Sequence, residues 1–157
     1  MKEIPLTQGQ VALVDDSDFD WLSQWKWLAT KHRDSFYAAR QPHGPHKGRK
    51  LVLMHRQIMD CPVDLEVDHK DLNKLNNQRS NLRICNRREN AVNIKGWGRS
   101  KYLGVEVRKC GSFHAKIRVF GERIYLGAFK IEEEAARAYD DAARIFHGEF
   151  ANLNFKD

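Results

Sequence analysis

The chain is poor in the residues that cross-link a fold. Its three cysteines, at positions 61, 85 and 110 of 157 residues, form no close C-x-x-C pair. An odd and widely spaced set excludes a disulfide framework, and Cys61, Cys85 and His69 together make an incomplete zinc ligand set. Reduced thiols and no structural zinc are therefore expected. No apolar run approaches the roughly 18 residues that a membrane span requires, and the opening MKEIPLTQGQ lacks the apolar core of a signal peptide. A soluble, cytoplasmic, non-secreted protein without a membrane partner is expected. Acid is scarce in one region above all: between Lys70 and Lys101, nine Lys or Arg stand against two acids, Asp71 and Glu89. The whole chain is milder, at 27 basic and 21 acidic residues and a net charge of +6. The local excess points to a polyanionic partner.

The 41% hydrophobic content is sufficient for one core of ordinary size or two small ones. Residues 1–54 alternate short apolar runs with turns. Val11–Val14 and Ser35–Ala39 have strand composition, and Asp18–Leu28 could begin as a short helix. Asp16, Asp18 and Asp20 resemble the first half of a calcium loop. Trp21 stands where that loop needs glycine and no Glu closes it, so calcium is excluded and the cluster is expected to cap a helix or face solvent. Gln41–Lys50 (QPHGPHKGRK) is a basic turn, either a phosphate-touching loop through Lys47, Arg49 and Lys50 or a solvated hairpin tip. Leu51–Met59 should pass from strand into a short helix ending near Cys61-Pro62. His55, on that piece, is expected to support the site from behind rather than to act in it.

The most informative stretch is Val67–Asn93, VDHKDLNKLNNQRSNLRICNRRENAVN. Leu65–His69 reads as a strand, Lys70–Asn81 as a structured Asn-rich loop and Leu82–Cys85 as a second strand. Asn86 with Glu89 forms a capping box for a helix continuing to Ile94. A strand sends Asp68 and His69 to opposite faces unless the chain bends there, and the following loop is expected to supply the bend. A carboxylate, an imidazole and an amide oxygen on short successive elements can hold a hard cation beside a general base.

Lys95–Lys101 (KGWGRSK) reads as a basic linker. Beyond it, Tyr102–Lys109, Phe113–Val119 and Arg123–Phe129 read as three strands joined by glycine turns. Alternation places Val105, Val107, Phe113, Ala115, Ile117, Val119, Ile124 and Leu126 on one face and Glu106, Arg108, His114, Lys116, Arg118, Arg123 and Tyr125 on the other. The helix expected from Glu132 to His147 carries an apolar stripe to cover the first face, three glutamates in its first turn and Gly148 as its cap. The cationic face is left open, and a sheet of this size fits a major groove.

V-D-H, then S-N-L, then E-N resembles the HNH endonucleases of phages and mobile introns. That resemblance implies a ββα-metal fold, with Asp68 and Asn90 as metal ligands, His69 as general base and Asn81 orienting His69 or the loop. Asn86 and Asn93 are alternatives to Asn90, although Asn86 is also explained as the cap. An amide oxygen implies Mg²⁺ or Mn²⁺ over zinc. The C-terminal segment resembles the plant ethylene-response-factor, or APETALA-type, DNA-binding domain through Y-L-G-V, F-x-A-x-I-R, R-I-Y-L-G-A-F, E-E-A-A-R-A-Y-D-x-A-A and L-N-F. On that likeness Arg108, Arg118, Arg123 and Tyr125 occupy base- or phosphate-contacting positions, while Leu103, Glu106, Cys110 and Lys116 depart from the plant pattern. Lys116 shares the cationic face, and Arg87, Arg88, Arg99 and Lys101 supply the basic segment, so these too are expected at DNA.

The expected architecture is α+β. It comprises an HNH lobe over residues 1–94 that includes a small mixed N-terminal part, a linker over 95–101, and a three-stranded antiparallel sheet packed on one helix over 102–157. The expected activity is metal-dependent, homing-type hydrolysis of double-stranded DNA to 3′-hydroxyl and 5′-phosphate ends in a bacterial or phage-infected cell, by a monomer or homodimer. The alternative is a DNA-binding regulator whose first domain does not cut. Action on RNA is a more remote third.

Overall fold

In the computed structural model, which describes residues 1–42, 44, 50–93 and 99–155, the chain forms two units, Met1–Arg87 and Arg88–Asp157. Both are mixed α/β, and together, among the described residues, they contain small antiparallel sheets and four α-helices. The division lies ahead of the segment expected as a linker. Positions 95–98 of that segment, and 43 and 45–49 of the basic turn, lie outside the described residues.

In the first unit, Lys2–Pro5 (β1) pairs with Val11–Val14 (β2), and Asp16–Leu22 (α1) follows. The helix expected from Asp18 ends at Leu22, because Leu28–His32 (β3) is already paired with Ser35–Arg40 (β4). Val52–Leu53 (β5) adds to β4, and Met54–Ile58 (α2) leads on toward Glu66–His69 (β6), which pairs with Leu82–Cys85 (β7). Ile4, Val14, Leu22, Trp27, Met54, Val67 and Leu82 share one core. The N-terminal elements and the β6–β7 pair therefore stand or fall together. Arg56 on α2 fixes the approach to β6, donating from Nη1 to Leu65 O at 2.7 Å and from Nη2 to Pro62 O at 2.6 Å.

Asp16 and Asp20 of α1 are exposed, as expected, whereas Asp18 departs from the expectation and the residue before the helix has a role of its own. Asp15 makes no side-chain cap; its carboxylate instead accepts from Arg79 N at 2.8 Å and Gln78 Nε2 at 3.3 Å. Asp18 is 2% exposed, not solvated. Its two oxygens take Arg79 Nε and Nη2, each at 2.8 Å, a bidentate geometry that fixes orientation as well as charge. With Leu13 N donating to Leu75 O and Asn77 N donating to Leu13 O, the N-terminal elements clamp the Asn-rich loop.

Arg87–Asn90 (α3) is a single turn, shorter than the expected helix, whose last residue, Ile94, lies outside the described ones. In the second unit Val105–Val107 (β8), Phe113–Val119 (β9) and Glu122–Phe129 (β10) form a sheet of order β10-β9-β8, with a bulge between Tyr125 and Gly127. Glu132–His147 (α4) covers one face, burying Ala135, Ala136, Tyr139, Ala142 and Ala143 against Val105, Ala115, Ile117 and Val119. The first-turn glutamates do more than complement the helix dipole: Glu132 accepts from Ser100 Oγ at 2.7 Å and Glu133 from Tyr102 Oη at 3.0 Å. The segment around Ser100 is thereby docked onto α4. Buried Asp140 accepts from Asn154 N and Phe155 N, both at 2.9 Å, which latches the closing L-N-F onto the helix.

Candidate active site and nucleic-acid face

His69 ends β6, opposite Leu82, and Asp68 stands opposite Arg83. Strand pairing continues through His69, so the bend comes after it: Leu72, at φ 65°, donates its N–H to His69 O at 2.9 Å. Each of the two neighbouring side chains consequently has its own surroundings. The Asp68 carboxylate is fully buried, with Arg83 Nη2 and Nε at 2.7 and 3.0 Å from Oδ2 and Lys74 Nζ at 3.8 Å from Oδ1. The His69 ring, 1% exposed, stacks edge-on with His55 at 5.0 Å and Tyr37 at 6.3 Å.

Asn77 decides the tautomer of His69. Its Nδ2 donates to Leu75 O at 3.1 Å, which turns Oδ1 toward His69 Nε2 at 3.4 Å. An amide oxygen only accepts, so Nε2 carries the proton and Nδ1 the lone pair. Asn81 serves the loop instead. Its Oδ1 accepts from Asp71 N at 3.1 Å, and its Nδ2 donates to Asp71 Oδ1 at 2.9 Å and to Asn76 O at 2.8 Å. Of the two roles expected for Asn81, orienting His69 or the loop, these contacts belong to the second. Asn77, Tyr37, Lys74 and Arg83 were not singled out in the sequence; Arg83 could have been, since its position opposite Asp68 follows from the register of the two strands.

Burial pushes the His69 pKa down to about 4, helped by the Lys74 charge and opposed by Asn77, Asp68 and Asp71. Burial, then the charge of His69, takes His55 to about 3. Both imidazoles are neutral near pH 7, the form a general base needs. The same shifts bear on stability. These groups bind protons more weakly folded than at the ordinary value of 6.5, so the stability they confer is complete above pH 6.5 and is lost as pH falls toward 4 and then 3. Acid unfolding should take up about two protons from this pair, in a window above the usual carboxylate range. Urea midpoints between pH 7 and 4.5 should therefore fall more steeply for the wild type than for His55→Phe. Parallel curves would mean His55 is not held neutral.

Asn90 lies in the second unit, on α3 with Arg87 and Arg88, both exposed. Asn93 is buried. Arg99 is exposed, while Lys101 Nζ lies 3.7 Å from Glu133 Oε1. On the sheet, Arg118 and Arg123 are exposed and stand directly opposite one another across β9 and β10. Lys116 pairs with the exposed Tyr125 in the same register. Like charges so placed repel, and an anion between them would relieve that repulsion. Arg108 and Lys116 differ from them: both engage Glu106, whose carboxyl they hold down at about 2. The face is cationic, but two of its expected contacts are already partnered.

Residues 60–92 match the family model described as HNH endonuclease. An HNH endonuclease of Acanthamoeba polyphaga mimivirus is 29% identical over 147 residues, covering 94% of this chain and 76% of that protein. An APETALA2-like protein of rice, Oryza sativa subsp. indica, is 49% identical over 61 residues, and an ethylene-responsive transcription factor of Medicago truncatula is 44% identical over 59. These take in 38% and 36% of this chain but only 14% and 25% of the plant proteins. The chain is thus similar to an HNH endonuclease over most of its length, and over part of it to plant factors of the APETALA2 and ethylene-response type.

Proposed function

We propose that the protein is a metal-dependent endonuclease of the HNH homing type that cuts double-stranded DNA, with the second unit contributing to recognition. The observation that carries this reading is the neutral His69, its tautomer fixed by Asn77, next in the chain to the Asp68 carboxylate within the segment that matches HNH endonucleases. The donors suit a hard cation in kind. Asp68 offers a carboxylate oxygen that already faces the Lys74 ammonium, the donor type a hard cation prefers. On the HNH resemblance, Asp68 and Asn90 are the residues that would hold Mg²⁺ or Mn²⁺, which would supply positive charge against the phosphate and the departing 3′ oxygen.

The chain's own part is proton transfer and positioning. Nδ1 of His69 takes a proton from water, the water oxygen bonds to phosphorus, and the bond to the 3′ oxygen breaks, that oxygen taking up a proton from solvent, giving 3′-hydroxyl and 5′-phosphate ends. Asn77 keeps the lone pair on Nδ1, and Asn81 keeps the loop that carries Asn77 in shape. Both Asp68 and His69 are buried, so they meet a phosphodiester only when the side chains above them move. One site of this kind per chain nicks a single strand; cutting both strands takes a dimer or a second visit.

The test is incubation with supercoiled plasmid and Mg²⁺ or Mn²⁺, with and without chelator. Chelator-sensitive nicking supports the reading. Binding without nicking favours a DNA-binding regulator whose first unit does not cut, an alternative suggested by the two cations already on Asp68. Competition between duplex DNA and RNA assigns the polymer.

On the sheet face, Glu106→Gln should release Arg108 and Lys116 to the phosphates. Duplex affinity should rise about 3- to 10-fold, and the slope of log K against log salt should steepen by about 1 to 2, as each additional phosphate contact requires. Fluorescence anisotropy across a salt series measures both. An unchanged slope would show that these two cations do not face DNA.

A further inference from the structure

Asp68 is fully buried, and among the described residues Arg83 and Lys74 both bring a positive charge to its carboxylate. The two are held differently. Arg83 is the register partner of Asp68 across the β6–β7 ladder and places Nη2 and Nε at 2.7 and 3.0 Å on a single oxygen, Oδ2. The strand pairing fixes that contact. Lys74 comes from the Asn-rich loop, and its Nζ stands 3.8 Å from the other oxygen, Oδ1, beyond hydrogen-bond length. Its side chain is 18% exposed against 11% for Arg83. A lysine ammonium is a compact charge on a flexible stem, and a loose contact from a loop is the one that can be released. Arg83 orients the carboxylate, whereas Lys74 faces its second oxygen from beyond hydrogen-bond length.

We propose that Lys74 is an internal counter-ion for Asp68 Oδ1, and that it must leave this oxygen before a divalent cation can bind there, so that Lys74 sets the metal affinity of the site. This rests on the reading of Asp68 as a metal-holding residue. A magnesium-sized ion contacts a carboxylate oxygen at about 2.0–2.1 Å. An ammonium left within about 4 Å of that oxygen would repel it in a poorly solvated setting, where charges act strongly on one another. Metal binding and the Lys74 contact therefore exclude each other, and the free energy of the ion pair is subtracted from that of metal binding.

The experiment is a calorimetric titration of Mn²⁺ into the full chain, without DNA, for the wild type, Lys74→Met, Lys74→Gln and Asp68→Asn. Removing the counter-ion should tighten Mn²⁺ binding about tenfold in both Lys74 variants, a difference of about 1.4 kcal/mol; Asp68→Asn should weaken or abolish it. If the wild type binds more tightly than Asp68→Asn but the Lys74 variants match or fall below it, the counter-ion is overturned while the reading of Asp68 stands. If Asp68→Asn binds like the other three, the reading of Asp68 falls and the counter-ion with it. Circular dichroism checks folding; Lys74→Gln, which retains a donor toward Asp68, serves if Lys74→Met does not fold.

Discussion

His69→Ala is expected to lower the rate of plasmid nicking by about 10²- to 10⁴-fold, the range that a positioned general base contributes, with duplex affinity within about twofold of wild type. Two features make the separation clean. The ring is 1% exposed and carries no net charge near neutral pH, so its loss removes no phosphate-attracting group. Deleting the ring leaves a cavity beside His55 and Tyr37, so some stability will be lost as well. His69→Gln retains much of the volume and a hydrogen-bonding group, but not a base of suitable strength. Equal loss of cutting in both variants, with the His69→Gln melting temperature near that of the wild type, assigns the effect to chemistry. Loss of binding in step with cutting would make His69 structural and remove the basis of the mechanism.

Gly104→Ala is expected to cost about 2–5 kcal/mol, the sum of a left-handed backbone penalty and an overpacking term. Gly104 has φ +76°, and a Cβ built on it would lie 1.9 Å from Tyr139 Cδ2, inside the ring that fills the sheet–helix core. Neither the tyrosine ring nor the backbone can yield without opening that core. Gly111 is the internal control: its φ is +83° with nothing within 4 Å of the added carbon, so Gly111→Ala should cost only the backbone part, about 1–2 kcal/mol. Thermal melts of the two variants isolate the contact by difference. Equal melting temperatures would mean that Tyr139 does not pack on Gly104.

The second unit was the more legible half. Alternation along β8 to β10 and the stripe on α4 each had one apolar face to bury, and two such faces have one way to meet. Val105, Ala115, Ile117 and Val119 consequently lie in the core where the pattern put them. The first unit was less legible because its sheets are short and its core is drawn from many separate elements, from Ile4 to Leu82. A four-residue strand such as β1 or β6 carries too few residues to reveal its partner. Asp18 shows the difficulty: by itself it reads as a helix-capping or solvated group, and only contact with Arg79, more than sixty residues away in the sequence, gives it a role.

What the sequence determined by itself was the inventory of the site and the order of its parts: an acid and an imidazole at the end of a strand, an Asn-rich loop, a second strand and a basic surround. These are local properties, fixed by residue type and by the period of a strand. Which asparagine faces His69, which cation belongs to Asp68 and whether an arginine on the sheet is already partnered were decided only in three dimensions. Each depends on distances between groups on different elements. Asn77 rather than Asn81 reaches the imidazole because β2 grips the loop at Leu75 and Asn77, and Glu106 takes up Arg108 and Lys116 because β8 lies beside β9.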